Sequence, residues 1–340
     1  MSTRPLELAL VGAGGIAQAY VQLFEDLVDA RVVAVADVRH DAAVSAAESL
    51  GARAYPSYAA LVGAESLDGV VVCTPPVTHH EICGFFLDRG LPVLCEKPLT
   101  TDLASARDLV ARAERSETLL TMASKFRYVE DLVTAKSIVG SGLLGEVILF
   151  ENVFASRVPM AGRWNANPAV SGGGVLIDNG THSVDIARYL LGPISEVMAV
   201  EGKRVQGLPV EDTAQLFLRS AEGVMGTVDL SWSIDKALDS YVNVYGSHGT
   251  IQVGWRQSRY RQASSPDWVV FGSGYDKLGS MRRQVEDFCR GVRGAGPILI
   301  GTDDALASVA VIETAYASMG TEHWALVDGG LESASPGSPR

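Results

Sequence analysis

Asp178 and His182 stand four residues apart in the run Gly172-Gly173-Gly174-Val175-Leu176-Ile177-Asp178-Asn179-Gly180-Thr181-His182-Ser183-Val184-Asp185, a spacing that stacks two side chains on one face of a helix. A carboxylate beside an imidazole holds the ring's tautomer and favours its protonated form, which suits a group that takes a proton from a hydroxyl and later returns it. The same two residues also fit a helix cap and a satisfied core histidine. A third candidate is Lys97 in Glu96-Lys97-Pro98. Proline pushes the residue before it toward extended backbone, so a strand carries through Lys97 and aims its ammonium at a fixed place. An isolated lysine of this kind is more often a solvated loop charge; the Asp178–His182 pair outweighs that reading.

Side chains so spaced need a scaffold, and the chain opens on one. The apolar run Leu6-Glu7-Leu8-Ala9-Leu10-Val11 leads into Gly12-x-Gly14-x-x-Ala17, then into apolar residues at helical spacing (Ile16, Ala17, Tyr20, Val21, Phe24, Leu27, Val28). This reads as strand, tight turn and helix. Gly12 permits the turn, and Gly14 lets backbone N–H groups approach a pyrophosphate. Gly15 and Ile16 complete the candidate contacts, and the small Ala17 lets the helix pack on the strand with its positive end toward the phosphates. A second apolar run over residues 31–36 ends in Asp37, about 20 residues on, where this fold places the acid that grips a ribose 2′-hydroxyl. Asp37 favours NAD, while Arg39 could pair with a 2′-phosphate and leaves NADP open.

Further along, strand patterns near residues 69–73, 91–95 and 119–123 alternate with helical periods over 41–50, 78–89 and 102–115. Alternation of this kind predicts an α/β fold, a doubly wound parallel sheet over residues 1–123, with Gly12, Asp37, Thr74 and Glu96-Lys97 at its carboxyl edge. From residue 124 the pattern changes to helices near 130–139 and 178–191 and strands near 146–154, 197–205, 213–219, 224–232, 241–245 and 250–253. Residues 124–330 are therefore expected to form an α+β domain on an open, mostly antiparallel sheet that offers a face for self-association. The Ser, Gly and Pro of residues 331–340 predict a disordered tail.

Composition narrows the function classes. The chain has 340 residues, 47% of them hydrophobic, and a formal net charge of −12, which argues against nucleic acid or an anionic membrane as partner. No apolar run approaches the ~20 residues that span a bilayer, and no apolar leader precedes the first strand, so a cytoplasmic protein is expected. Cys73, Cys83, Cys95 and Cys289 show no Cys-x-x-Cys pair or companion histidine at metal spacing; reduced, buried thiols and no metal are expected. The acidic balance is compatible with a cationic small molecule, which Glu211, Asp212, Asp229 and Asp235 would concentrate where they face a cleft mouth; the alternative is that the charge only keeps the protein soluble.

Taken together, the Gly12-x-Gly14-x-x-Ala17 turn, Thr74-Pro75 with His79 five residues after Thr74, Glu96-Lys97-Pro98, the Gly172–174 run leading to Asp178-x-x-x-His182 and Asp185, and Gly246-Ser247-His248-Gly249-Thr250 resemble the Gfo/Idh/MocA family of NAD(P)-dependent sugar and cyclitol oxidoreductases. The resemblance covers residues 6–328. It implies that Lys97, Asp178 and His182 meet over a nicotinamide, where substrate carbon gives hydride to the ring, the histidine takes the hydroxyl proton and the lysine polarises the oxygen. It also implies cofactor contacts from Thr74, Pro75, His79 and Glu96, and a substrate pocket lined by Arg127, Arg163 and Trp164. Pro76, where asparagine is frequent, and Asn179, where an apolar residue is, depart from the pattern. The implied activity is oxidation of a secondary hydroxyl of a sugar, aminosugar or cyclitol with NAD. A keto-sugar reductase using NADPH and a cofactor-binding sensor without turnover are the alternatives, the second disfavoured by the proton-handling trio.

Overall fold

The computed structural model describes residues 4–321 and 323–328; the tail expected at 331–340 lies outside the described residues. The first half runs β1 (Leu6–Val11), α1 (Gly15–Phe24), β2 (Ala30–Ala36), α2 (His40–Leu50), β3 (Arg53–Tyr55), α3 (Tyr58–Leu61), β4 (Gly69–Val72), α4 (His79–Leu87), β5 (Val93–Glu96), α5 (Leu103–Arg115) and β6 (Leu120–Ala123). Its six strands are ordered β3-β2-β1-β4-β5-β6 and all pair in parallel. The strands are continuous apolar runs because helices cover both faces; all four residues of β4 are buried. The chain changes direction between β1 and β4, and the crevice at their carboxyl ends is where a ligand sits in such sheets.

The second half begins with a 3₁₀ turn (Lys125–Tyr128), then α6 (Glu130–Gly140), β7 (Val147–Ala155), α7 (Pro168–Ser171), α8 (Val175–Leu191), β8 (Ile194–Glu201), β9 (Thr213–Ser220), β10 (Met225–Ser231), β11 (Ser240–Gly246), β12 (Gly249–Gly254), β13 (Ser258–Gln262), β14 (Val269–Gly272), α9 (Lys277–Val292), α10 (Thr302–Thr321) and β15 (Ala325–Leu326). Its sheet is ordered β14-β13-β12-β11-β7-β10-β9-β8-β15. All its pairings are antiparallel except β10 with β7. Gly226, Val228 and Leu230 of β10 face the core, as the alternation predicts. Nearly every side of α8 is buried, so it runs through the interior beneath the sheet.

Three features differ from the sequence reading. Strands β3, β13, β14 and β15 were not foreseen, being short or half-exposed segments without a clear period. Helix α8 starts at Val175, not at Asp178, because Glu211 reaches across from the loop before β9 to satisfy its first turn. Lastly, the C-terminal helices are not confined to the second sheet. Met281, Val285, Phe288 and Cys289 of α9 and Ala305, Val309 and Ala310 of α10 pack into the cores of the parallel sheet. Among the described residues no helix is long and apolar enough to cross a membrane.

Candidate active site

A cavity of about 1600 Å³ runs along the carboxyl edge of the parallel sheet and under the second sheet. At one end lies the glycine turn. Gly12 has φ +94°, and a Cβ there would sit 2.7 Å from the Cys73 carbonyl carbon, so only glycine fits this crossing of β1 and β4. At Gly14 and Gly15 a Cβ would meet nothing within 4 Å, and no side chain caps the start of α1. Its first N–H groups are left for an anion, the arrangement a dinucleotide pyrophosphate needs. The Asp37 carboxylate accepts from Ala13 N and Arg39 N, both at 2.7 Å, which fixes it at the end of β2. Ile16, Asp37, Arg39, Thr74, Pro75 and Glu96 also line this cavity, so the residues present fit a dinucleotide.

At the other end Lys97, the residue directly after β5 and joined to Pro98 by a cis peptide, donates to Asp178 Oδ1 at 2.6 Å and to the Asp178 carbonyl at 2.8 Å. Behind it, Glu96 accepts from the Tyr20 hydroxyl at 2.9 Å, and Gln284 of α9 donates to that hydroxyl at 3.1 Å. The strand end is thereby held from α1 and α9 at once. Asp178 and His182 reach the cavity because α8 begins where it does. The N–H groups of Gly174 and Leu176 donate to Glu211 Oε1 at 2.9 and 3.0 Å, and Tyr316 donates to the same oxygen at 2.7 Å. A Cβ at Gly173 would collide with the Tyr316 hydroxyl and one at Gly174 with the Glu211 backbone. The glycine run is a packing requirement of that helix start.

The electrostatics differ from the expectation. Asp178 pairs with Lys97 rather than with His182, whose Nδ1 is buried with no hydrogen-bond partner. Burial first, and then the ammonium groups of Lys125 and Lys97, hold His182 well below the usual imidazole range. The ring is therefore neutral at pH 7, a base rather than the imidazolium that an adjacent carboxylate would favour. Lys125, which sequence reasoning passed over, brings Nζ to 3.5 Å from His182 Nε2. Burial pushes its pKa down to about 8.

Arg163 and Trp164 line the cavity; Arg127 and His79 do not. The Arg127 Nε donates to both Asp185 oxygens at 2.9 and 3.0 Å, and its Nη2 donates to Asp304 at 3.0 Å, so it is a buried tie between α8 and α10. The His79 ring lies 2.8 Å from both the Pro98 and Thr74 carbonyls; it clamps the two strand-end loops. Of the carboxylates expected at the mouth, Glu211 caps α8, Asp212 accepts from Val205 N and Gln206 N, and Asp229 pairs with Lys236. Only Asp235 lines the cavity, which removes the electrostatic argument for a cationic substrate. An aromatic wall was also missed: Trp255 lies 4.5 Å from Tyr241 and 5.6 Å from Tyr275, ring centre to ring centre. Its members are scattered along the sequence, and no local pattern announces them.

Two family models match the chain. The model of an oxidoreductase family with an NAD-binding Rossmann fold matches residues 6–124, and that of the GFO/IDH/MocA C-terminal domain matches residues 132–252. The rhizopine catabolism protein MocA of Rhizobium meliloti is 28% identical over 314 residues, 91% of this chain and 93% of the relative. An inositol 2-dehydrogenase of the same organism is 25% identical over 92% of this chain and 97% of its own. Among solved structures, GenD2 from gentamicin A biosynthesis in complex with NAD superposes with a TM-score of 0.83 at 24% identity, covering 95% of this chain and 96% of that one.

Proposed function

Because the chain belongs to the GFO/IDH/MocA family of NAD-binding oxidoreductases, we propose that it is an NAD-dependent dehydrogenase oxidising a secondary hydroxyl of a sugar, aminosugar or cyclitol to a ketone at Lys97, Asp178 and His182. The observation that carries the reading is the convergence of a fixed ammonium (Lys97 on Asp178 at 2.6 Å) and a neutral imidazole in the cavity that also holds the glycine turn. Relatives named for inositol and rhizopine support the substrate class. When bound, NAD accepts the hydride that leaves the carbinol carbon. The protein's part is proton handling and charge. His182 Nε2, the ring nitrogen beside Lys125 Nζ, takes the hydroxyl proton. Lys97 donates to the oxygen as negative charge grows there, and this contact strengthens toward the transition state. Asp178 holds the lysine in place. Trp164 and the Trp255 wall offer apolar faces to the C–H side of a polyol, with Arg163 as donor to its hydroxyls.

Asp37 favours NAD by accepting a ribose hydroxyl and repelling a 2′-phosphate. The test is reduction of NAD and of NADP against a panel of cyclitols, neutral sugars and aminosugars. The expected outcome is NADH and a ketone from at least one polyol, with NAD the better cofactor. Binding of NAD without reduction by any compound would leave the sensor reading instead. Two further points extend the proposal. The sheet face opposite the helices carries exposed Val200 and Met225 beside Met198, Phe217 and Leu149, and we assign it to a homodimer or homotetramer. A sedimentation mass of one chain would contradict that. Four buried free thiols suit a reducing cytoplasm.

A further inference from the structure

We infer that the substrate carries a carboxylate close to the reacting carbinol and that Lys125 binds it. This rests on the dehydrogenase reading and sharpens its substrate class. Lys125 stands in the 3₁₀ turn after β6, lines the cavity, and is in no ion pair among the described residues. Its ammonium is next to His182 Nε2 at 3.5 Å and lies 5.5 Å from the centre of the Phe126 ring.

The charges that act most strongly on Lys125 are the carboxylates of Glu96 and Asp178 and the ammonium groups of Lys97 and Lys277, and Asp178 is already engaged by Lys97. Lys125 is thus a surplus positive charge at the reaction centre. This half-buried ammonium has the neutral His182 ring as its contact, which leaves its charge uncompensated, and an anionic group of the ligand would compensate it. A neutral hydroxyl accepts one hydrogen bond and leaves the charge uncompensated; a carboxylate does both and makes the stronger contact. The distance to His182 sets where that carboxylate lies. An oxygen on Lys125 Nζ and a hydroxyl on His182 Nε2 are neighbours, so the two groups sit within one or two carbons of each other on the substrate. Arg163, which lines the cavity and is in no ion pair among the described residues, adds a second positive group. The lining also holds the carboxylates of Asp37, Glu81, Glu96, Asp178 and Asp235, of which Asp178 is engaged by Lys97 and Asp235 is an exposed residue whose Oδ1 accepts from Ala237 N.

Two matched pairs test this, D-glucuronate with D-glucose and D-gluconate with D-glucitol, since each pair differs by one carboxylate in place of CH₂OH. Binding of each compound to the NAD-loaded protein is measured by calorimetry and NADH formation by absorbance, for wild type, Lys125→Met and Lys125→Arg. The account expects at least one carboxylate to bind about tenfold or more tightly than its neutral partner, the energy of one charge-assisted contact. That preference should shrink with added salt, vanish in Lys125→Met and survive in Lys125→Arg. Unchanged NADH affinity shows that each variant is folded. If neither carboxylate outbinds its partner, or Lys125→Met weakens both members equally, the inference is overturned. NADH made only from the neutral compounds would overturn it while leaving the dehydrogenase reading intact. Carboxylates that bind through Lys125 with no hydride transfer from any compound would count against the dehydrogenase reading instead.

Discussion

His182 can act as a base because no partner among the described residues stabilises its protonated form. Its Nδ1 has no acceptor, and the charged groups that lower its pKa are both cations, Lys125 and Lys97. The sign for activity follows. Between its depressed value and the ordinary ~6.5 of a free imidazole, the folded ring stays neutral where a solvated one would be protonated. The acidic limb of kcat/KM for oxidation is therefore expected below pH ~6.5. In the same window the unfolded chain binds the extra proton, so stability falls as the pH is lowered. Lys125→Met removes one cation and should move the limb upward; a limb at or above 6.5 in the wild type, or one unmoved in the variant, would contradict this. Lys97, Asp178 and His182 could be picked out from residue type and spacing, but their pairing could not. Periodicity puts Asp178 and His182 on one face without telling that Lys97, 81 residues away in sequence, claims the carboxylate. Lys125 left no signal, since its character comes from the cavity around it. Arg127 and His79 were misread for the converse reason. A polar residue in a motif resembles a ligand contact until its buried partners are seen.

At the level of elements, α8 and α10 carry the tie that Arg127 makes. Asp185 is fully buried, and burial raises its pKa against the pull of Arg127. Arg127→Met would leave that carboxylate uncompensated, at a cost of about 3–5 kcal/mol, readable as a lowered midpoint in urea. Substrate KM in the surviving folded fraction should be unchanged. A loss below about 1 kcal/mol, or a selective rise in KM, would return Arg127 to the pocket. The parallel strands were legible because burial on both faces makes each a continuous apolar run. The start of α8 was not. The sequence shows three glycines and a later Asp, while the carboxylate that caps the helix is Glu211, more than thirty residues downstream.

Across the whole molecule, the C-terminal helices decide how the two sheets share one cavity. α10 contributes Ala305, Val309 and Ala310 to the core of the parallel sheet and Val311, Ile312 and Ala315 to the core of the second. α9 reaches Tyr20 and, through it, Glu96 beside Lys97. The sheet each of these helices covers could not be read from its sequence, because an amphipathic stripe specifies burial and not a partner. The account's central claim is that this arrangement brings Lys97 and His182 to one reacting oxygen. The most direct test is turnover of Lys97→Met and His182→Ala at saturating NAD and substrate, with NADH binding followed in parallel. Turnover should fall by about 10² or more in each, the scale of a positioned acid–base group, with NADH still bound; near wild-type turnover in either variant would contradict the claim.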